Sequence, residues 1–391
     1  MKRIILTLLL LPWPLLCIQG CWDRTEINDL AFILTSAVDM EQDGRIRYTV
    51  MLPLPGQMGG ASGGGGGTGG EKSYYIDSEI GETVRDAQAK LQARMSRRMF
   101  LAHRRTLLVG EEYARSRGIR NVFDSTPRSP ESRMTTNLII TKGKAYELLQ
   151  SSPRFERFPS EAIRELAKSR MVLNLNMKDT AVMMSSTGGD TMVLYMSIKE
   201  SEKSEKTSRE IMNTGYALFK GDKMVGIMEE QEAIGLSMLK RLNSESIVTV
   251  NVEEHVKMTT RINRADSHIR VHLINGKPHY DIGMDVRVRI VETIGFYDLS
   301  QTANIRKVEN ILSDKVTKAI EQTIRTLQKK EVDPVQFGND LWRAYPKLWN
   351  DRYASEWPSL MKDAEFNVKV NSIMTDTGLI YENITKKGLG Q

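Results

Sequence analysis

"RRTLLVGEEYAR" (residues 104–115) and "RMTTNLIITKGKAYELLQ" (residues 133–150) share one pattern. Each holds a short apolar run, Leu107-Leu108-Val109 or Leu138-Ile139-Ile140, that leads into a helical stretch. Strand–helix alternation of this kind builds a sheet with helices packed on it. Residues 159–169 continue with a helix and "TMVLYMSIK" (191–199) with a strand. Upstream, "FILTSAVDMEQDGRIRYTVMLPLP" reads as a hairpin. Asp43-Gly44 suits its turn, and Ile46, Tyr48 and Val50 alternate as in a half-buried strand. In "EIGETVRDAQAKLQARMSRRM" (79–99), Ile80, Val84, Ala87, Leu91 and Met95 fall at helical spacing, which predicts one helix.

The second half differs in style. "TGYALFKGDKMVGIM" sets two apolar strands around Gly221-Asp222, a tight hairpin. A helix is expected over 229–242, opened by the acidic "EEQE", which favours the helix dipole. Strands follow over 246–262, 267–275 and 279–294, the last two joined by an Asn275-Gly276 turn. Residues 303–330 form a long amphipathic helix with Ile305, Val308, Ile311, Leu312, Val316, Ile320, Ile324 and Leu327 on its apolar face. Pro334 follows its end. A helical region carries Trp342, Trp349 and Trp357, read as core with a partner interface as the alternative. "FNVKVNSIM" closes the half as a strand. The fold class is therefore α+β: multidomain, mixed α/β, with a C-terminal antiparallel sheet packed on a long helix. The expected divisions are a signal segment 1–20 and a mixed α/β region 21–198 made of two domains. A polar linker 199–212, "KESEKSEKTSRE" at its heart, and a C-terminal α/β domain 213–386 follow.

The chain opens with Lys2 and Arg3, then about a dozen apolar residues broken by Pro12 and Pro14. This is the layout of an export signal, and it falls short of the ~20 residues that span a bilayer. Both cysteines lie close behind, Cys17 and Cys21. Ile18-Gln19-Gly20-Cys21 resembles a bacterial lipobox, with Gln19 a departure where a small or apolar residue is usual. In that chemistry the Cys21 thiolate takes a diacylglyceryl group, because only a thiolate is nucleophilic enough at neutral pH. The alternative is a plain secreted chain. A disulfide is not expected if Cys17 leaves with the signal, and two cysteines alone do not make a metal site. Two acyl chains give a stable tether where one exchanges.

Composition bounds the rest. The chain has 391 residues, 40% of them apolar and 27% charged, as in a folded protein. Loss of Lys2 and Arg3 takes the formal charge from +6 to +4. That mild excess fits contact with anionic lipid and does not argue for nucleic acid. The run "PGQMGGASGGGGGTGGEKS" (55–73) nearly spells a phosphate-binding loop. Glu71 separates its last glycine from Lys72, however, so a coil loop interrupting a domain is the better reading. His103, His255, His268, His272 and His279 offer no constellation with a third ligand, although His268 and His272 share a strand face. Arg94, Arg97, Arg98, Arg104 and Arg105 form the densest basic cluster. It reads as a solvated helix face, with a lipid headgroup or acidic partner as the alternative. No catalytic, cofactor or metal residues emerge, which favours a binding or assembly role over an enzyme.

The stretch Cys21-Trp22-Asp23, with Glu26, Ile27, Asn28, Asp29 and Leu30 after it, resembles the Ger(x)C family. These are the lipoprotein C subunits of bacterial spore germinant receptors. Gly215, Ala217, Phe219, Lys220, Gly226, Glu232 and Gly235 resemble the family's pattern further on. In the tail Gly338, Pro346, Trp349, Trp357, Ile373 and Gly378 do the same. The resemblance implies three mixed α/β domains, no enzymatic activity, no cofactor, and lipidation at Cys21. It implies A and B membrane subunits as partners, the membrane itself through S-diacylglyceryl cysteine, and a place on the outer face of the spore inner membrane. A solute-binding lipoprotein that captures a nutrient germinant is the rival reading.

Overall fold

The computed structural model describes residues 24–54, 73–240 and 245–377. Cys21, Gly378 and nearly all of the glycine run therefore lie outside the described residues.

The larger sheet is built from the opening stretches outward. β2 (Thr35–Met40), β6 (Thr106–Gly110), β7 (Asn137–Thr141) and β8 (Met192–Glu200) run parallel side by side. β6 and β7 are buried at every position, because helices cover both faces of a parallel sheet. One face takes α1 (Val84–Ala93), α2 (Glu111–Ser116) and α3 (Arg120–Ser125) through Leu91, Tyr113 and Val122. The other takes α4 (Ala145–Leu149) and α5 (Pro159–Ala167) through Leu148, Leu149 and Ile163. A further helix, α6 (Met177–Met184), opens on a capping box between Asn176 and Asp179. The predicted first hairpin stands: β2 pairs antiparallel with β3 (Ile46–Pro53), and Gly44 takes φ +82° in the turn. β3 pairs in turn with β4 (Tyr74–Gly81), and Leu54 N–H donates to Ser73 O across the base of the glycine loop. The loop thus interrupts one sheet. A separate two-stranded sheet joins β1 (Leu30–Phe32) in parallel to β5 (Arg98–Phe100).

Several expectations need correction. The helix predicted over 79–99 is only α1. Ile80 belongs to β4, and Thr83 caps α1 by accepting from Asp86 N–H at 3.1 Å, which stops the helix from extending back. The stretch 199–212 is no linker. β8 pairs with β9 (Arg209–Lys220) through Lys199↔Glu210 and Glu200↔Arg209, so its polar residues form the solvated end of a hairpin. β10 (Lys223–Glu229) then completes an eight-stranded sheet in the order β10-β9-β8-β7-β6-β2-β3-β4. Strands from either side of the expected 198/213 boundary share this sheet. A split of 21–198 into two domains is likewise not what the sheet shows, since β2–β4 and β6–β8 are one ladder.

After α7 (Glu230–Leu239) the second sheet has the order β11 (Ser246–Glu253), β12 (Val256–Ile274), β13 (Lys277–Ile294) and β14 (Glu365–Asp376). The strand expected at 246–262 is broken by a turn at Glu254-His255, and its second part fuses with the next one into β12. Asn275 and Gly276, at φ +52° and +77°, make the predicted tight turn. Alternation along β13 buries Tyr280, Ile282, Met284, Val286 and Val288. These meet α8 (Thr302–Lys330), whose Val308, Leu312, Val316, Ile320 and Ile324 fall one turn apart. The sheet is antiparallel except at its edge, where β14 runs parallel to β13. Parallel neighbours need a long crossover; here it consists of α8, α9 (Phe337–Ala344) and α10 (Ala354–Asp363). Trp349 and Trp357 are core residues, and Trp342 is partly exposed.

Candidate functional site

Cys21, the one residue with an expected chemical role, lies outside the described residues. The described chain starts at Arg24, and Ile27 in the following turn is 74% exposed. β1 then pins the chain. The Phe32 ring packs edge-on against Phe100 at 5.7 Å and against His103 at 5.1 Å. The N-terminal end of the described fold thereby lies beside His103.

Among the described residues no group of three or more His, Cys, Asp or Glu side chains is arranged to hold a metal ion. The hairpin does bring His272 opposite His279, their rings stacked at 5.6 Å. His272 faces Asp281 at 3.6 Å and His279 faces Glu365 at 3.2 Å, each imidazole with its own carboxylate. His268 pairs opposite Gly283, away from that pair.

The basic cluster is dispersed rather than set on one helix face. Arg94 ends α1 and pairs with Asp77 at 2.6 Å, and Arg98 on β5 pairs with Glu131. Arg105 is exposed. Arg104 is buried: its Nη1 donates to Ser36 Oγ at 3.2 Å, while Nε and Nη2 have no hydrogen-bond partner. Burial lowers its pKa, and the nearby Tyr48 hydroxyl opposes that shift.

A buried polar knot that no sequence pattern marks lies where the two sheets meet. Asp333 Oδ1 accepts from Gln336 N–H at 2.7 Å, and its Oδ2 accepts from Gly338 N–H at 3.0 Å and Trp357 Nε1–H at 3.2 Å. Asp190 Oδ2 accepts from Asp333 N–H at 2.9 Å, and Asp190 N–H donates to Asp333 O at 2.8 Å. Asp190 Oδ1 also accepts from Gly221 N–H in the β9–β10 turn. Burial outweighs these donors and pushes the Asp333 carboxyl up to about 7. Asp190 is raised for the same reason. Gly188 lets the backbones close in, since a Cβ there would stand 2.6 Å from Asn339 N. The available signals were "GGD" at 188–190 and "VDP" at 332–334, a glycine-rich turn and a helix-start aspartate, both too short to stand out.

Beside the knot lies an open groove of about 530 Å³, lined by Lys178, Val182, Lys240, Gln336, Asn339 and Arg343. Burial brings the Lys240 ammonium down to about 8, with Asp333 opposing the shift. The knot's carboxylates are occupied by backbone and indole donors. Those bonds clamp the two sheets together.

Residues 23–198 match the family described as spore germination protein N-terminal domain. Residues 214–378 match the family described as spore germination B3/GerAC like, C-terminal. YfkR of Bacillus subtilis (strain 168) is 31% identical over 378 residues, covering 95% of this chain and 97% of its own. Spore germination protein KC of the same organism is 23% identical, covering 97% of each chain. The crystal structure of the GerBC protein superposes with a TM-score of 0.58 at 16% identity, over 87% of this chain and 96% of that one, which establishes the shared fold. The boundary between the two matched regions falls in the β8–β9 hairpin, inside the larger sheet. With both regions matched along almost its whole length, the chain belongs to the Ger(x)C family of spore germination proteins.

Proposed function

We propose that this chain is a lipid-anchored, non-enzymatic subunit of a spore germinant receptor. In this reading Cys21 carries an S-diacylglyceryl group and holds the protein at the outer face of the spore inner membrane, against the A and B membrane subunits. The observation that carries it is the end-to-end match with spore germination proteins, YfkR at 31% identity among them. No helix among the described residues is long and apolar enough to cross a membrane, so attachment falls to the lipobox-like tetrad at 18–21. Tethering confines the domain to the membrane surface and raises its effective concentration toward membrane partners without any new contact.

Cys21→Ala is the test. The variant is expected in the soluble fraction after a high-salt wash, with impaired nutrient-triggered germination. Retention in the membrane fraction together with normal germination would sink the anchor. The groove beside the Asp190–Asp333 knot is the observation that favours the rival, a subunit that captures the nutrient itself. That rival requires saturable heat in calorimetry with nutrient amino acids, sugars or nucleosides, and its loss in Lys240→Gln.

A further inference from the structure

A second cavity, of about 430 Å³, lies at the foot of the larger sheet. Arg105 immediately precedes β6, and Asn137 is the first residue of β7. With Arg133, Arg164, Lys168 and Asn174 they line a space that no Asp or Glu side chain enters among the described residues. Arg105, Arg133 and Lys168 are exposed at the rim and make no ion pair among the described residues. Arg164 is partly spoken for: its Nη2 pairs with Glu161 at 2.7 Å and Glu165 at 2.5 Å, yet its Nε is buried with no partner. The wall is rigid. Asn137 Nδ2 donates to Asn174 Oδ1 at 2.9 Å and to Leu175 O at 3.1 Å. Met177 N–H donates to Thr136 O at 2.9 Å and Lys178 N–H to Met134 O at 3.0 Å, which laces the loop along the foot of β7.

Arg104 lines the space too, so four cations without acids, a fifth with an unused N–H, and pinned side-chain amides make a concave, donor-rich site of one sign. Guanidinium groups offer forked N–H pairs that match tetrahedral oxyanions. The excess of positive charge is more than a single carboxylate would balance. We propose that this cavity binds a phosphoryl oxyanion, the chemistry shared by a phospholipid headgroup and free phosphate. The site also lies where the tether side of the chain joins the fold, since His103 lines it and touches Phe32 of β1. Nine chain steps lead from Cys21 to Leu30, a span of at most about 32 Å when extended. A headgroup source is therefore within reach of an anchored chain. Oxyanion binding itself rests on the cavity alone, so it survives if the anchor reading fails.

The experiment uses the full-length protein in phosphatidylcholine nanodiscs, with hydrogen exchange followed at 102–106, 133–137 and 168–176. One arm adds inorganic phosphate, and the other replaces part of the lipid with phosphatidylglycerol. Exchange in these segments is expected to slow about tenfold in at least one arm, and the responding arm identifies the source. The triple variant Arg105→Gln/Arg133→Gln/Lys168→Gln is expected to lose the response, while Arg306→Gln, on the exposed face of α8, keeps it. If the triple variant melts early, Arg133→Gln alone supplies the reading. No slowing in either arm, or equal slowing in wild type and cavity variants, overturns the proposal. So does an equal loss in Arg306→Gln, which marks diffuse charge attraction in place of a site.

Discussion

Asp333 shows how one side chain ties distant parts of the chain. It accepts three N–H groups, from Gln336 and Gly338 at the start of α9 and from Trp357, and its own N–H reaches Asp190. Asp333→Ala leaves buried donors unpaired at 1–3 kcal/mol each, so a loss on the order of 3 kcal/mol is expected from denaturant midpoints. The pH dependence has a definite sign. Folding raises this carboxyl from the ordinary 3.8 to about 7, so the native state holds its proton more tightly than the unfolded one. Its contribution is fully present below about pH 4 and is lost as pH rises through about 7. Melting temperatures of wild type relative to Asp333→Asn should therefore fall between about pH 4 and about pH 7 and level off above that. A flat difference would mean the carboxyl is charged throughout. Neither this knot nor the burial of Arg104 was legible in sequence, because both depend on groups brought together from 143 positions and from 68 positions apart.

Among the elements, β9 is the one most constrained by a single small residue. Gly215 lies between β8 and β10 in the ladder, opposite Tyr195 and Glu229. A Cβ there would stand 1.9 Å from Met228 O, so the strands must part to admit it. Gly215→Ala is expected to cost about 3 kcal/mol, with early hydrogen exchange in β9 and β10 as the signature. Unchanged exchange would show that the ladder can shift to fit it. α8 makes the opposite case, an element readable from periodicity alone. Leu312 is fully buried in its stripe, and Leu312→Ala should cost 2–5 kcal/mol in a urea titration. The helical spacing overextends α1 because Ile80 and Met95 prolong it by coincidence, while Gly81 and Thr83 enforce the break.

Over the whole molecule, a single apolar cluster runs from Ala37 and Leu108 in the larger sheet to Met284, Leu312 and Trp349 in the C-terminal half. The two family-matched regions are thus not two independent folding units. Residues 24–198 alone would expose the edge of β8, where Met192, Val193, Leu194 and Tyr195 are buried in the full chain. Unpaired apolar edges aggregate. That fragment is expected to aggregate by light scattering, and the full chain to unfold in one calorimetric transition. A soluble, cooperatively melting 24–198 fragment would contradict this view of the core.

The α+β class, the strand–helix alternation of residues 104–150, the Asn275-Gly276 hairpin and the long amphipathic helix were all readable from sequence. Each is a local pattern written within about 30 residues, where periodicity and turn chemistry suffice. The lipobox-like tetrad at Cys21 is local in the same way. Only the tertiary structure decided that 199–212 is a hairpin, that β14 joins its sheet in parallel, and that Asp190 meets Asp333. It alone gathered Arg105, Arg133, Arg164 and Lys168 around one cavity. Those outcomes depend on which edges and polar groups find partners once the core has closed. That is a property of the packed chain, and no single stretch of sequence contains it.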